Sequence, residues 1–152
     1  MKVVSWVWYG LLFFVIMSVD RITKMLAIMY CQDTVNITSL LSFDLTFNRG
    51  ISWSMFHADA WMPFVLVSGM VALVTLVLAG YACVRYVNQQ LIFGEVMVLA
   101  GSCSNIIDRV VYGGVADFIR VHYQNWSYPT FNVADVSIVI GVVCMMWEYY
   151  KE

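Results

Sequence analysis

From Pro63 to Val84 the chain runs for 22 residues without a single Asp, Glu, Lys, Arg or His. A helix of that length spans roughly 33 Å, enough to cross a hydrocarbon layer of about 30 Å. The remainder of the chain is too apolar to wrap such a segment and hide it from water. Of its 152 residues 62% are hydrophobic and 12% charged, and the mean hydropathy is +0.78. The chain therefore reads as a membrane protein. Eight Lys plus Arg against a net charge of −2 leave no basic surface able to neutralise a run of phosphates, which excludes nucleic acid as a partner.

The other helices follow from similar patterns. The apolar run Val3 to Val19 exceeds the roughly 7–15 residues of a cleavable signal peptide and continues through Asp20-Arg21-Ile22-Thr23-Lys24 into Met25 to Cys31. It predicts a retained first membrane helix over about residues 5–30. The second covers about 62–85, with Pro63 in its first turn, and the third about 91–109. The short polar stretch 85–90 makes these two antiparallel neighbours. The fourth covers about 132–149. Between the first and second helices, Ile37 to Phe47 and the turn Asn48-Arg49-Gly50 predict an extracytoplasmic strand or hairpin, followed by an amphipathic turn over 51–56. Val115 to Val121 alternates like another short strand. The expected fold is thus an all-α integral membrane protein of one domain, residues 1–152, with four spans and a small sheet outside the membrane. Lys2, Arg85 and Lys151 fall on one side, which makes both termini cytoplasmic.

Polar residues in such a chain are expensive, and here they gather at one depth. The third helix ends outward at Asn105, Asp108 and Arg109, and the fourth starts there with Asn132 and Asp135. Asp20 and Asn48 reach the same level from the first half of the chain. Asn105 with Asp108, and Asn132 with Asp135, are spaced to share a helix face, so each amide can donate beside a carboxylate. Plainer roles exist: Asn132 as an N-cap, Asp135 as a first-turn acid, and Asp108 as the ion-pair partner of Arg109.

Hydrolysis by two acids requires one ionised and one protonated carboxyl. Asp117, on an apolar strand face with Val115 and Ile119, is the preferred partner for Asp135, because desolvation there favours the protonated form. Cys31, Cys83, Cys103 and Cys144 are scattered without metal-ligand spacing, and His57 and His122 fall in outer loops away from any Ser or Cys partner. A proton relay and an inert helix-assembly partner are the competing readings.

Five motifs, Asp20-Arg21-Ile22-Thr23-Lys24, Phe47-Asn48-Arg49-Gly50, Asn105-Ile106-Ile107-Asp108-Arg109, Val115-Ala116-Asp117-Phe118-Ile119 and Phe131-Asn132-Val133-Ala134-Asp135, occur in this order along the chain. Together they resemble the bacterial lipoprotein signal peptidases, also called signal peptidase II. The resemblance implies an aspartic endopeptidase of the bacterial cytoplasmic (inner) membrane, working as a monomer near the outer leaflet surface. It removes the signal peptide from prolipoproteins just before a diacylglyceryl-modified cysteine. The resemblance also puts the catalytic pair on Asp117 and Asp135. Asp20, Lys24, Asn48, Gly50, Asn105, Asp108, Arg109, Asn132 and Ala134 line or brace the site, the sheet cradles the lipid-modified substrate, and no metal or organic cofactor is implied. Ala100 to Ser104 keeps one glycine where the family is often glycine-rich, which predicts looser helix contact, and Ser52 stands where alanine is common.

Overall fold

The polar ends of the apolar runs mark where the helices stop. A computed structural model, describing residues 6–50, 61–124 and 126–151, has four of them. Helix α1 spans Trp6–Tyr30, α2 Trp61–Val87, α3 Phe93–Tyr112 and α4 Val133–Lys151. Strands β1 (Val35–Asn36) and β2 (Leu41–Asn48) follow α1, while β3 (Val115–Tyr123) and β4 (Trp126–Ser127) lie between α3 and α4. The amphipathic turn expected over 51–56, Ser52 and His57 all fall outside the described residues.

The sheet is antiparallel in the order β1-β2-β3-β4. The expected sheet is present but is not confined to the connection between the first two helices: half of it comes from the connection between α3 and α4. The β2–β3 register sets Thr46 opposite Asp117 and Asn48 opposite Val115, and it slips between Phe43 and Thr46. A bulge there increases the local twist and re-aims the following side chains. Side-chain alternation puts Asn48 on the same face as Asp117, one diagonal step away. Phe118 anchors the sheet to the bundle by packing with Ala27 of α1 and with Cys31 just beyond its end.

Helix α3 is the central post, touching α1, α2 and α4. Its C-terminus is set by Gly113, whose φ of 67° is the left-handed conformation that glycine adopts without a Cβ clash. Helix α3 meets α4 most extensively, through glycines. A Cβ on Gly101 would lie 2.5 Å from the Ala134 carbonyl oxygen and 2.8 Å from Ile138 Cγ1, and one on Gly94 would lie 2.6 Å from the Gly141 carbonyl oxygen. The contact around 100–104 is thus tight rather than loose, because the single glycine kept in that stretch stands at the point of closest approach. Gly101→Ala is expected to force the two backbones apart at a cost of about 1–3 kcal/mol. A melting temperature in detergent equal to that of the parent would contradict this.

Apolar side chains face outward on every helix, as at Phe14 of α1 (72% exposed), Leu76 of α2 (71%), Val110 of α3 (81%) and Val139 of α4 (63%). Water does not tolerate that much contiguous apolar surface, and lipid does. Two helices, α2 and α4, are long and apolar enough to cross a membrane by length and composition. Helices α1 and α3 carry charge, and all of it is turned inward. At the end of the bundle away from the sheet, Arg85 of α2 is buried rather than lying in a solvated loop. It pairs with Glu95 of α3 at 2.8 Å and Glu148 of α4 at 3.6 Å.

Candidate active site

The start of α4 is written into its first residues. Asn132 is the N-cap: its Oδ1 accepts the Asp135 backbone N–H at 2.9 Å, while the Asn132 backbone N–H donates to Asp135 Oδ2 at 3.1 Å. This is a reciprocal capping box with Asp in the place usually held by Glu. The Asn132 side chain does more than cap. Its Nδ2 donates to Asp117 Oδ1 at 2.6 Å, so one buried residue holds both carboxylates. Capping and site-building are the same arrangement.

The second oxygen of each acid is also engaged. Asn48 Nδ2 donates to Asp117 Oδ2 at 3.1 Å, and Asn105 Nδ2 donates to Asp135 Oδ1 at 2.9 Å. The amide of Asn105 is aimed by Lys24, whose Nζ donates to Asn105 Oδ1 at 2.7 Å and leaves the NH₂ end facing Asp135. Lys24 is 1% exposed and also meets Asp20 Oδ2 and Asp108 Oδ2, each at 2.8 Å. All three of its donors are therefore used.

Asp20 and Asp108 in turn hold backbone. Asp20 Oδ1 accepts the Ala134 N–H at 2.7 Å, placing a carboxylate at the positive end of α4, and Ser104 Oγ donates to Asp20 Oδ2 at 2.6 Å. Ala134 has no exposed surface, so a larger side chain has no room there. Asp108 Oδ2 accepts the Ala116 N–H at 3.2 Å and thereby fixes the strand residue next to Asp117. Asp108 is not paired with its neighbour Arg109, nor does Asn105 serve it. Its other oxygen takes Arg21 instead. Arg109 reaches across to the Gly50 carbonyl at 2.8 Å, and the Gly50 N–H donates to Asn48 Oδ1 at 2.9 Å. The network thus brings together Asp20, Lys24, Asn48, Gly50, Asn105, Asp108, Arg109, Asp117, Asn132, Ala134 and Asp135. Sequence reasoning missed Arg21, Ser104 and the tether at Ala116. Arg21 carried only its place beside Asp20 in the first motif, Ser104 only its place beside Asn105, and a backbone donor carries no signal.

The two acids open onto a cavity of about 500 Å³ between the sheet and helices α2, α3 and α4. Its walls are polar at Asn48 and Arg109 and apolar along α2 and α4, with Val71, Val139 and Ile140, and the last two are exposed on the outer side of the bundle. Burial pushes the Asp117 carboxyl up to about 7 from an ordinary 3.8, and the neighbouring charge of Asp135 adds to this, while Asn48, Asn132 and Lys24 pull the other way. The charge count agrees: four carboxylates (Asp20, Asp108, Asp117, Asp135) face three cations (Arg21, Lys24, Arg109), so one retained proton leaves the cluster neutral.

A stability signature follows from the raised value. The folded state binds this proton more tightly than the unfolded chain, so its contribution is full below pH 3.8 and is lost as pH rises to about 7. Thermal melts across that range are expected to show the decline in the parent and its loss in Asp117→Asn.

Fold and site together define a helical membrane protein built around paired carboxylates at the junction of sheet and bundle. Two solved bacterial membrane enzymes determined by the in meso method share the fold. One superposes with a TM-score of 0.76 at 22% identity, covering 94% of this chain and 87% of its own, and the other with 0.74 at 22% identity, covering 95% and 93%. The chain belongs to the family described as Signal peptidase (SPase) II, which matches residues 12–151. It is similar to the lipoprotein signal peptidase of Teredinibacter turnerae, 34% identical over 148 residues, covering 93% of this chain and 85% of the relative. It is also similar to that of Thermodesulfovibrio yellowstonii, 35% identical over 142 residues, covering 91% and 92%. The chain is accordingly a membrane-associated peptidase.

Proposed function

We propose that this chain is an aspartic endopeptidase that removes the signal peptide from prolipoproteins, cutting just before a diacylglyceryl-modified cysteine. The observation that carries the reading is the double hold of Asn132, whose side chain binds Asp117 and whose backbone binds Asp135 at the mouth of a cavity. The names of the relatives support the substrate class. Asp117 is the proton holder, and Asp135, in the first turn of α4 and with two donors on its oxygens, is the ionised partner.

In the proposed reaction Asp135 takes a proton from a water molecule, whose oxygen bonds to the scissile carbonyl carbon. Asp117 gives its proton to the carbonyl oxygen as the carbonyl carbon becomes tetrahedral. Collapse restores the C=O bond and breaks the C–N bond, and the departing nitrogen receives the proton held by Asp135 while Asp117 recovers its own. No metal or organic cofactor enters, and the chain works as a monomer.

All four helices cross the membrane in this reading, with the charges of α1 and α3 turned inward and both termini cytoplasmic. The sheet and the acids then lie at the outer surface of the bacterial inner membrane, where a lipid-anchored cysteine and an extended peptide can both reach them. The apolar wall of the cavity along α2 and α4 suits the acyl chains or the apolar part of the signal peptide.

The test uses purified protein in detergent with one prolipoprotein in two forms, diacylglyceryl-modified and unmodified. Mass spectrometry is expected to find cleavage of the modified form alone, leaving the lipid-bearing cysteine as the new N-terminus. Equal cutting of both forms, or cutting at another bond, would sink the proposal.

A further inference from the structure

Arg21 lies within the motif Asp20 to Lys24 but carries no assigned role there, and its guanidinium binds the oxygen of Asp108 that Lys24 leaves free. It is half-buried, with 28% of its side chain exposed, whereas Asp108 has no exposed surface. Asp20, Arg21, Lys24 and Asp108 form a compact set of two anions and two cations directly behind the acid pair. Through Lys24 this set aims Asn105 at Asp135, and through Asp108 it holds the strand residue beside Asp117.

We propose that Arg21 is a positioning residue that balances Asp108, keeping the support behind Asp117 and Asp135 electrically neutral and so setting the pH range over which the pair works. This rests on the acid-pair reading above. The charged groups facing the pair are Asp20, Arg21 and Lys24 from α1, Asp108 and Arg109 from α3, and the pair itself from β3 and α4. Strand β2 contributes the uncharged Asn48.

With Arg21 removed, Asp20, Asp108 and Lys24 leave a net charge of −1 behind the acids, which makes every proton on the pair harder to remove. With Asp108 neutralised instead, Arg21, Lys24 and Asp20 leave +1, which has the opposite effect. Removing both restores zero.

The experiment is the pH dependence of kcat/KM for cleavage of the diacylglyceryl-modified prolipoprotein by full-length protein. In Arg21→Gln both limbs of the profile are expected to move to higher pH by roughly half a unit to one unit, the scale of one partly screened charge at an effective dielectric near 20. In Asp108→Asn they move to lower pH. In the double variant they return to the parental position, even though turnover itself is reduced by loss of the Asp108 carboxylate. Arg21→Lys, which keeps the charge, holds the parental limbs. If Arg21→Gln fails to fold, the downward move in Asp108→Asn and its cancellation in the double variant still carry the sign.

Uniform loss of rate at every pH with unmoved limbs would mean that Arg21 is only a brace, and would overturn the inference. Asp117→Asn in the same assay separates this from failure of the parent reading. If that variant still cleaves, the acid pair itself is wrong. If it is inactive and the limbs stay fixed in the charge variants, only the role of Arg21 is lost.

Discussion

Asp117→Asn and Asp135→Asn are each expected to lower kcat by at least about 1,000-fold while leaving the protein folded in detergent. The side chains are isosteric, so the cavity keeps its shape and each position can still make hydrogen bonds. What disappears is chemistry. Asparagine at 117 cannot deliver a proton to the carbonyl oxygen, and asparagine at 135 cannot take one from water. The two losses should not add, because the acids act as a unit through Asn132, and the double variant is expected to resemble either single one. Single-turnover cleavage separates this from a binding defect. If either single variant turned over substrate within about tenfold of the parent, that acid would be excluded from a general acid or base role.

Much of this arrangement can be read from spacing alone, and the exceptions share a cause. The start of α4 was legible because Asn132 and Asp135 satisfy each other locally, within three residues. Asn105 and Asp108 have the same spacing, yet Asn105 serves Asp135 across the bundle. Asp108 is already engaged by Arg21, Lys24 and the Ala116 N–H, and only tertiary structure says so. Arg109 adjoins Asp108 in sequence, but successive helical residues point about 100° apart, and it reaches Gly50 instead. Likewise Arg85 reads as a loop cation until Glu95 is seen packed against it. The sheet was underestimated for the same reason. Its two halves come from connections about 70 residues apart, and no local pattern announces that Thr46 will stand opposite Asp117. In lipid an inward-facing charge needs a partner more than it needs a particular sequence neighbour, so pairing is decided by the bundle.

The largest expected loss of stability comes from Lys24→Met. Methionine is close to lysine in length and apolar, so it fills the space without leaving a cavity. It removes the cation that meets Asp20 and Asp108 at 2.8 Å each, two carboxylates that have no exposed surface. Breaking a buried ion pair from one side costs about 3–5 kcal/mol, since the orphaned charge stays desolvated. Arg21 still binds Asp108 closely but lies 3.9 Å from Asp20 Oδ2, so Asp20 bears most of the burden, and the Asp20 carboxylate is also what holds the Ala134 N–H at the start of α4. The expected result is a marked drop in melting temperature, with activity lost in parallel because Asn105 is no longer held toward Asp135. Adding Asp20→Asn to Lys24→Met removes the stranded charge, while the amide oxygen can still accept the Ala134 N–H. Stability should then recover substantially and activity should not. If the double variant melts no higher than Lys24→Met alone, the cost lies in lost packing rather than in an uncompensated carboxylate, and the electrostatic account of this cluster fails.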